Sequence, residues 1–233
     1  MLILDWMQNN VIAIKPKTRL LECRRLLREN KIGRLPVVDA SGIVVGVLSA
    51  SDIKACMPAQ DTGLQVLEAL DILAETQARE IMTIPAVTIS YKSTVTQAAM
   101  LMIEKSVTSL PVVDEEGHLK GILTQWDVFK GLTHMSGAQV MRNAVEVGFT
   151  VENRPGTLRS ILEQIEGVHI ATVLSAIDRD GRRQVEIIFW SADPAKEDAA
   201  LDRLKGHPCL RYWARGSESY VNMEIVGSQP QKK

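Results

Sequence analysis

The chain has 233 residues, 27 basic and 28 acidic side chains, and a formal net charge of −1. That length accommodates two or three compact units, and the balanced charge shows no basic footprint for nucleic acid or for an anionic membrane surface. Three widely spaced cysteines, Cys23, Cys56 and Cys209, make no disulfide framework and fit a reducing, cytoplasmic setting, and neither a signal-like N-terminus nor a run of about 18 apolar residues argues for export or a membrane span.

In chain order, VIAI (11–14) is a short β-prone run, and Thr18 suits the N-cap of a helix. That helix carries Leu20, Cys23 and Leu27 at i, i+3, i+7, the spacing of one buried stripe. LPVVD, the turn ASG and an apolar run ending in GVLS predict a β-hairpin in which Gly42 takes a positive φ. Another helix begins at Ser49. All of this returns 75 residues later without a gap: AVTI (86–89), Ser93, a helix on Val95, Ala98 and Met102, the hairpin around Gly117, and a helix from Thr124.

Each copy reads as β-α-β-β-α and is too small to bury its own sheet, so the two are expected to pack face to face. The expected boundaries are 1–60 for the first copy and 78–137 for the second. Residues 61–77 between them read as a linker helix, with Leu64, Leu67, Leu70 and Leu73 on its buried side. The matched PVVD strands, the elements GVLSASD and GILTQWD, and the hydroxyl-capped helix before them resemble the CBS-domain family, named for cystathionine beta-synthase. The tandem arrangement is the one called a Bateman module, and the resemblance covers about the first 135 residues.

Beyond these copies, AVEVGFTV alternates like a strand, and ENRPGTLRSILEQIEG reads as a loop and a helix on Ile161, Leu162 and Ile165. HIATVLSAID, the turn RDG, RRQVEIIFW, the helix PAKEDAALDRLKG and a strand near CLRYWA complete the order βαββαβ over 143–217, a ferredoxin-like split βαβ unit. The whole chain is therefore expected in the α+β class. Residues 218–233 are expected as a flexible C-terminal tail. With its loop EN-RPGTL, the third unit looks like an ACT domain, although Asn153 stands where that family more often has Asp. The order CBS, CBS, ACT resembles the AcuB-type acetoin-utilisation accessory proteins of bacteria.

Ser49 with Asp52, and Thr124 with Asp127, put a hydroxyl and a carboxylate on one face at a helix start. Helix-start N–H groups favour phosphate, and an ionised Asp, acceptor-only, suits a ribose diol. The constellation describes a nucleotide, but it is equally the spelling of an ordinary N-terminal cap. The CBS resemblance implies the nucleotide roles and adds adenine contacts near Ile14 and Val37 or near Ile89 and Val112. Arg34 reads either as a phosphate partner in the first site or as a solvated charge; its counterpart is Ser109. In the ACT-like loop, Asn153, Pro155 and Gly156 shape an approachable backbone. There the resemblance implies an amino acid at a dimer interface, and a ligand-free capped loop fits as well.

No catalytic residue and no metal site is expected. His118, His134, His169 and His207 lack metal-ligand spacing, and no phosphate-binding Gly-rich loop or nucleophile elbow is present. Glu115, Glu116 and His118 read as solvated turn residues. The chain as a whole is read as a non-catalytic homodimeric sensor of an adenosine compound (AMP, ADP, ATP, S-adenosylmethionine or NAD) that acts on an unidentified partner protein. Nucleic acid and membrane are not expected as partners, and the competing reading is a structural oligomerisation protein with vestigial pockets.

Overall fold

A computed structural model describes residues 1–57, 71–137 and 144–226, which divide into two compact units, 1–131 and 132–233.

In the first unit, α1 (Leu20–Glu29), β1 (Arg34–Val38), β2 (Val44–Ser49) and α2 (Ala50–Ala55) form the first repeat. A short α3 (Ala78–Ile81) precedes the second repeat, β3 (Ile89–Ser90), α4 (Val95–Glu104), β4 (Ser109–Val113), β5 (Leu119–Thr124) and α5 (Gln125–Met135). The hairpins β1–β2 and β4–β5 are antiparallel in equivalent registers, each with a register shift between its two valines, Val37/Val38 and Val112/Val113. Gly42 and Gly117 both have φ +89°, a backbone region that side chains with a Cβ avoid. The expected VIAI strand reduces to one parallel bridge between Ile14 and Val37, whereas Ile89 and Ser90 pair with Val112 and Val113. The two hairpin turns join across the repeats: Val44 N donates to Gly117 O at 3.1 Å and Leu119 N to Gly42 O at 3.2 Å.

Neither repeat completes its core from its own residues. Ile3, fully buried, lies in the core of the second repeat with Leu110, Val112 and Leu123. Leu73 and Ala78, also fully buried, lie in the core of the first with Leu20, Leu35 and Leu48. Gln8 and Ile122 exchange backbone hydrogen bonds at 2.9 and 3.0 Å, and Val47 and Thr83 do so at 3.2 and 2.9 Å. The same 75-residue offset relates these two contacts, so each repeat is finished by the segment that precedes the other. Gly46 and Gly121 make room for the visitors, since a Cβ there would lie 2.7 Å from the sulfur of Met82 or Met7 respectively. Of the expected linker helix, residues 71–75 are helical; Leu64, Leu67 and Leu70 lie outside the described residues.

The second unit contains β6 (Val145–Glu152), α6 (Thr157–Leu162), β7 (His169–Ile177), β8 (Arg182–Trp190), α7 (Pro194–Lys205), β9 (Leu210–Arg215), β10 (Glu218–Val221) and α8 (Met223–Val226). All neighbouring strands are antiparallel, in the order β10-β9-β6-β8-β7. Alternate residues Val145, Val147, Phe149 and Val151 of β6 and Val185, Ile187 and Phe189 of β8 meet Ile161, Leu201 and Leu204 from the helices in one core. Asp193 caps α7 through its Oδ1, 3.0 Å from Ala195 N, and Pro194 occupies the first helical position. Gly148 leaves room for the Tyr212 ring, whose hydroxyl donates to Glu146 at 2.8 Å. Within the stretch expected as a tail, Glu218–Val221 pair with β9 and α8 follows them.

Candidate ligand-binding site

Ser49 ends β2 in an extended conformation and caps α2. Its Oγ accepts from Asp52 N at 3.1 Å, and Asp52 Oδ2 accepts from Ser49 N at 2.7 Å. Thr124 and Asp127 repeat this geometry, with Thr124 N donating to Asp127 Oδ2 at 3.0 Å and Asp127 N to Thr124 Oγ1 at 3.3 Å. In each pair, therefore, the hydroxyl and the carboxylate each accept from the backbone N–H of the other residue, a reciprocal cap.

The two carboxylates differ in what else they meet. Asp127, 3% exposed, also accepts from Thr124 Oγ1 at 2.6 Å, from Gln8 Nε2 at 3.3 Å and from Lys130 Nζ at 3.4 Å. Burial pushes its carboxyl up, but the hydrogen bonds from Thr124, Gln8 and Lys130 outweigh burial and hold it below the ordinary carboxylate value. With four side-chain and backbone donors around it, Asp127 has its acceptor capacity filled. Asp52 is only half-buried, and among the described residues its Oδ1 has no hydrogen-bond partner. The positions equivalent to Gln8 and Lys130 are Thr83 and Ala55, neither of which supplies such a donor to Asp52.

Arg34 faces Ser49 in the β1–β2 register and donates through Nη1 to Thr108 Oγ1 of the other repeat. Ile14, Val37, Ile89 and Val112 are buried in the two repeat cores, so their side chains serve packing.

In the second unit, Asn153 Oδ1 accepts from Arg183 Nε at 3.1 Å and Nη2 at 2.8 Å, and Arg183 Nη1 reaches Ser175 Oγ at 2.6 Å. Asn153 thus ties its loop to the sheet. Gly156 has φ +89° before α6, and a Cβ there would meet no atom within 4 Å. It borders a shallow open cleft with Leu158, Leu162, Ile165 and Val168; Asn153 and Pro155 do not line that cleft.

Sequence reasoning missed one cluster, in which Asp114, Glu116 and His118 bring a ligand-capable atom each within 4.8 Å of one another. Asp114 Oδ1 accepts from Glu116 N and His118 N, and Oδ2 pairs with Lys120 Nζ at 3.0 Å. The arrangement closes the β4–β5 turn and already supplies the carboxylate with a cation. Among the described residues no helix is long and apolar enough to cross a membrane.

A family model described as the CBS domain matches residues 3–58 and 78–134. An uncharacterized protein of Methanocaldococcus jannaschii, MJ1426, is 30% identical over 154 residues, a match covering 57% of this chain and 91% of that protein. Inosine-5'-monophosphate dehydrogenase of Aquifex aeolicus is 26% identical over 72% of this chain, but the match covers only 32% of that enzyme. Among solved structures, the CBS-pair protein CBSX2 of Arabidopsis thaliana superposes with a TM-score of 0.51 at 27% identity, covering 58% of this chain and 96% of that one. MJ1225 of Methanocaldococcus jannaschii gives a TM-score of 0.50 at 29% identity over 56% of this chain and 47% of that one.

Proposed function

Because this chain belongs to the CBS-domain family and carries two copies in tandem, we propose that it is a non-catalytic regulatory protein that binds an adenosine-containing ligand through the pair. The observation that carries the reading is Asp52. Its carboxylate stands beside the Ser49 hydroxyl with Oδ1 available to a ribose diol, and Arg34, facing Ser49, supplies a cation for phosphate. Ligand binding would regulate a partner protein by favouring one arrangement of the chain, which requires unequal affinity for the two arrangements.

The third unit is proposed as an ACT-like module that pairs two chains and offers the Gly156 cleft to an amino acid, which makes the homodimer the working form. The AcuB-type role in acetoin or related carbon metabolism belongs to the same proposal, as does the cytoplasmic setting. Light scattering at micromolar concentration should report a dimer, and a monomer would remove this part.

A thermal-shift series with AMP, ADP, ATP, S-adenosylmethionine and NAD tests the central claim. A ligand at a hundredfold excess over its dissociation constant adds about 2.7 kcal/mol of apparent stability, so at least one compound should raise the melting temperature, and Asp52→Ala should reduce that rise. Silence from all five at millimolar concentration would favour the second reading, a structural oligomerisation protein with vestigial pockets. The reciprocal caps, in which the hydroxyl and carboxylate of both pairs already accept from backbone N–H groups at the helix start, are the observation in its favour.

A further inference from the structure

Gln8 is fixed at the second repeat through its backbone. Its N–H and carbonyl both bond Ile122 of β5, at 2.9 and 3.0 Å, and Met7 beside it lies over Gly121. From that anchor its side-chain Nε2 donates to Asp127 Oδ1 at 3.3 Å, and Lys130 Nζ, about one turn further along α5, donates to the same oxygen at 3.4 Å. The other oxygen, Oδ2, accepts from Thr124 N and Thr124 Oγ1. Gln8 and Lys130 are exposed while Asp127 is only 3% exposed, so both donors stand on the solvent side of the carboxylate. The first repeat has no such cover. At the 75-residue offset Thr83 and Ala55 replace them; Thr83 keeps the equivalent backbone pairing, with Val47, but among the described residues neither gives Asp52 a hydrogen bond.

We propose that Gln8 and Lys130 are built-in occupants of the second hydroxyl–carboxylate pair, so that the chain takes one adenosine ligand, in the first repeat, and holds the second pair closed. The inference rests on the adenosine reading above and extends it by assigning the number of working sites to two donors outside the motif. A ribose diol brings O–H donors, which need a carboxylate oxygen with unused acceptor capacity. Asp52 Oδ1 offers one, whereas at Asp127 both oxygens are taken. A diol reaching Asp127 must therefore displace donors of the same chain. A tethered group competes at an effective concentration of roughly millimolar or more, and the lysine–carboxylate pair is a bond between two charges that a neutral diol replaces poorly. Because main-chain bonds anchor Gln8, exchanging its side chain alters the cover and leaves the segment in place.

Calorimetric titration of the full chain with AMP, and with S-adenosylmethionine as a second probe, tests this on the wild type and on two exchanged chains. The wild type should take one ligand per chain and lose it in Asp52→Ala. Gln8→Thr with Lys130→Ala, which gives the second repeat the residues of the first, should take two, and adding Asp52→Ala to it should leave one. The reverse exchange, Thr83→Gln with Ala55→Lys, should weaken the wild-type site at least tenfold. Two ligands per wild-type chain would overturn the inference. So would a count of one that persists when both donors are removed, or a wild-type site that survives Asp52→Ala. A gained site cannot arise from misfolding, so the opened chain decides the matter even where the grafted one is unstable. No heat from either compound with the wild type or the opened chain removes the adenosine reading beneath the inference as well.

Discussion

Gln8 Nε2 donates to Asp127 Oδ1 at 3.3 Å although 119 residues separate them in sequence. The contact exists because the N-terminal segment completes the second repeat, and it gives Asp127 a supporting donor that Asp52 lacks. Removing a buried carboxylate strands its former donors, and hydrogen bonds to charged groups are worth about 1.5–3 kcal/mol. Losing an ordinary cap costs about 1 kcal/mol. Asp127→Ala should therefore lower stability more than Asp52→Ala, as read from urea midpoints at constant slope; equal losses would contradict the assigned asymmetry.

The same carboxylate sets a pH dependence. Its folded-state value lies below the ordinary one because the hydrogen bonds from Thr124, Gln8 and Lys130 outweigh burial. The folded state therefore binds the Asp127 proton less readily than the unfolded state does. The resulting stabilisation is complete above the unfolded value, about 4, and is lost as pH falls through the lower folded value. Asp127→Asn should show a shallower loss of stability than the wild type below about pH 4, measured by denaturant titration across that range. Parallel profiles would mean that Asp127 contributes nothing there.

Crowding at the two glycines under the exchanged segments gives a third expectation. A Cβ at Gly46 would lie 2.7 Å from Met82 Sδ and 3.1 Å from Thr83 O, and one at Gly121 would lie 2.7 Å from Met7 Sδ and 3.0 Å from Gln8 O. Gly46→Ala and Gly121→Ala should each cost about 1–3 kcal/mol, as overpacking does. Shortening the methionine, as in Gly46→Ala with Met82→Ala, should cost less than the sum of the single changes in a double-mutant cycle. Strict additivity would show that the methionine does not limit the space.

Removing residues 1–8 should loosen the second repeat selectively. Ile3 leaves its core and the Gln8–Ile122 backbone bonds disappear, so amides in the β4–β5 hairpin, such as those of Leu110 and Leu123, should exchange faster. Those of Leu35 and Leu48 in the first repeat should change less. Hydrogen exchange read residue by residue checks this, and equal loosening of both hairpins would contradict it.

The repeat was legible because its hairpins carry residue-specific demands: the first valine of each PVVD, Val37 or Val112, fills the core, and Gly42 and Gly117 take positive φ. The exchange of segments was not legible, because the visitors are held largely by backbone hydrogen bonds that accept nearly any side chain. Leu2 and Thr94 form a bridge, for example, and the equivalent bridge joins Gln77 and Arg19. Met7 and Met82, one offset apart, are the only pair in those stretches whose identity hints at equivalence. Ser49, Asp52, Thr124 and Asp127 were found by spelling, and the structure brings each pair together. Part of their difference was hidden, because beside the neighbouring Lys130 it depends on Gln8, which is remote in sequence. The strand at Glu218–Val221 also escaped notice, since all four of its residues are exposed and it lacks the apolar alternation by which half-buried strands are recognised.

The exchanged segments also bear on how such a chain could have arisen. An ancestral polypeptide with a single repeat would have had a leading segment with no place in its own core and a core lacking a segment. Two copies, each lending its leader to the other, would satisfy both, so duplication and fusion would convert an obligate pair of chains into one without altering a contact. Separately expressed halves of the first unit should accordingly be poor folders alone and should complement one another when mixed.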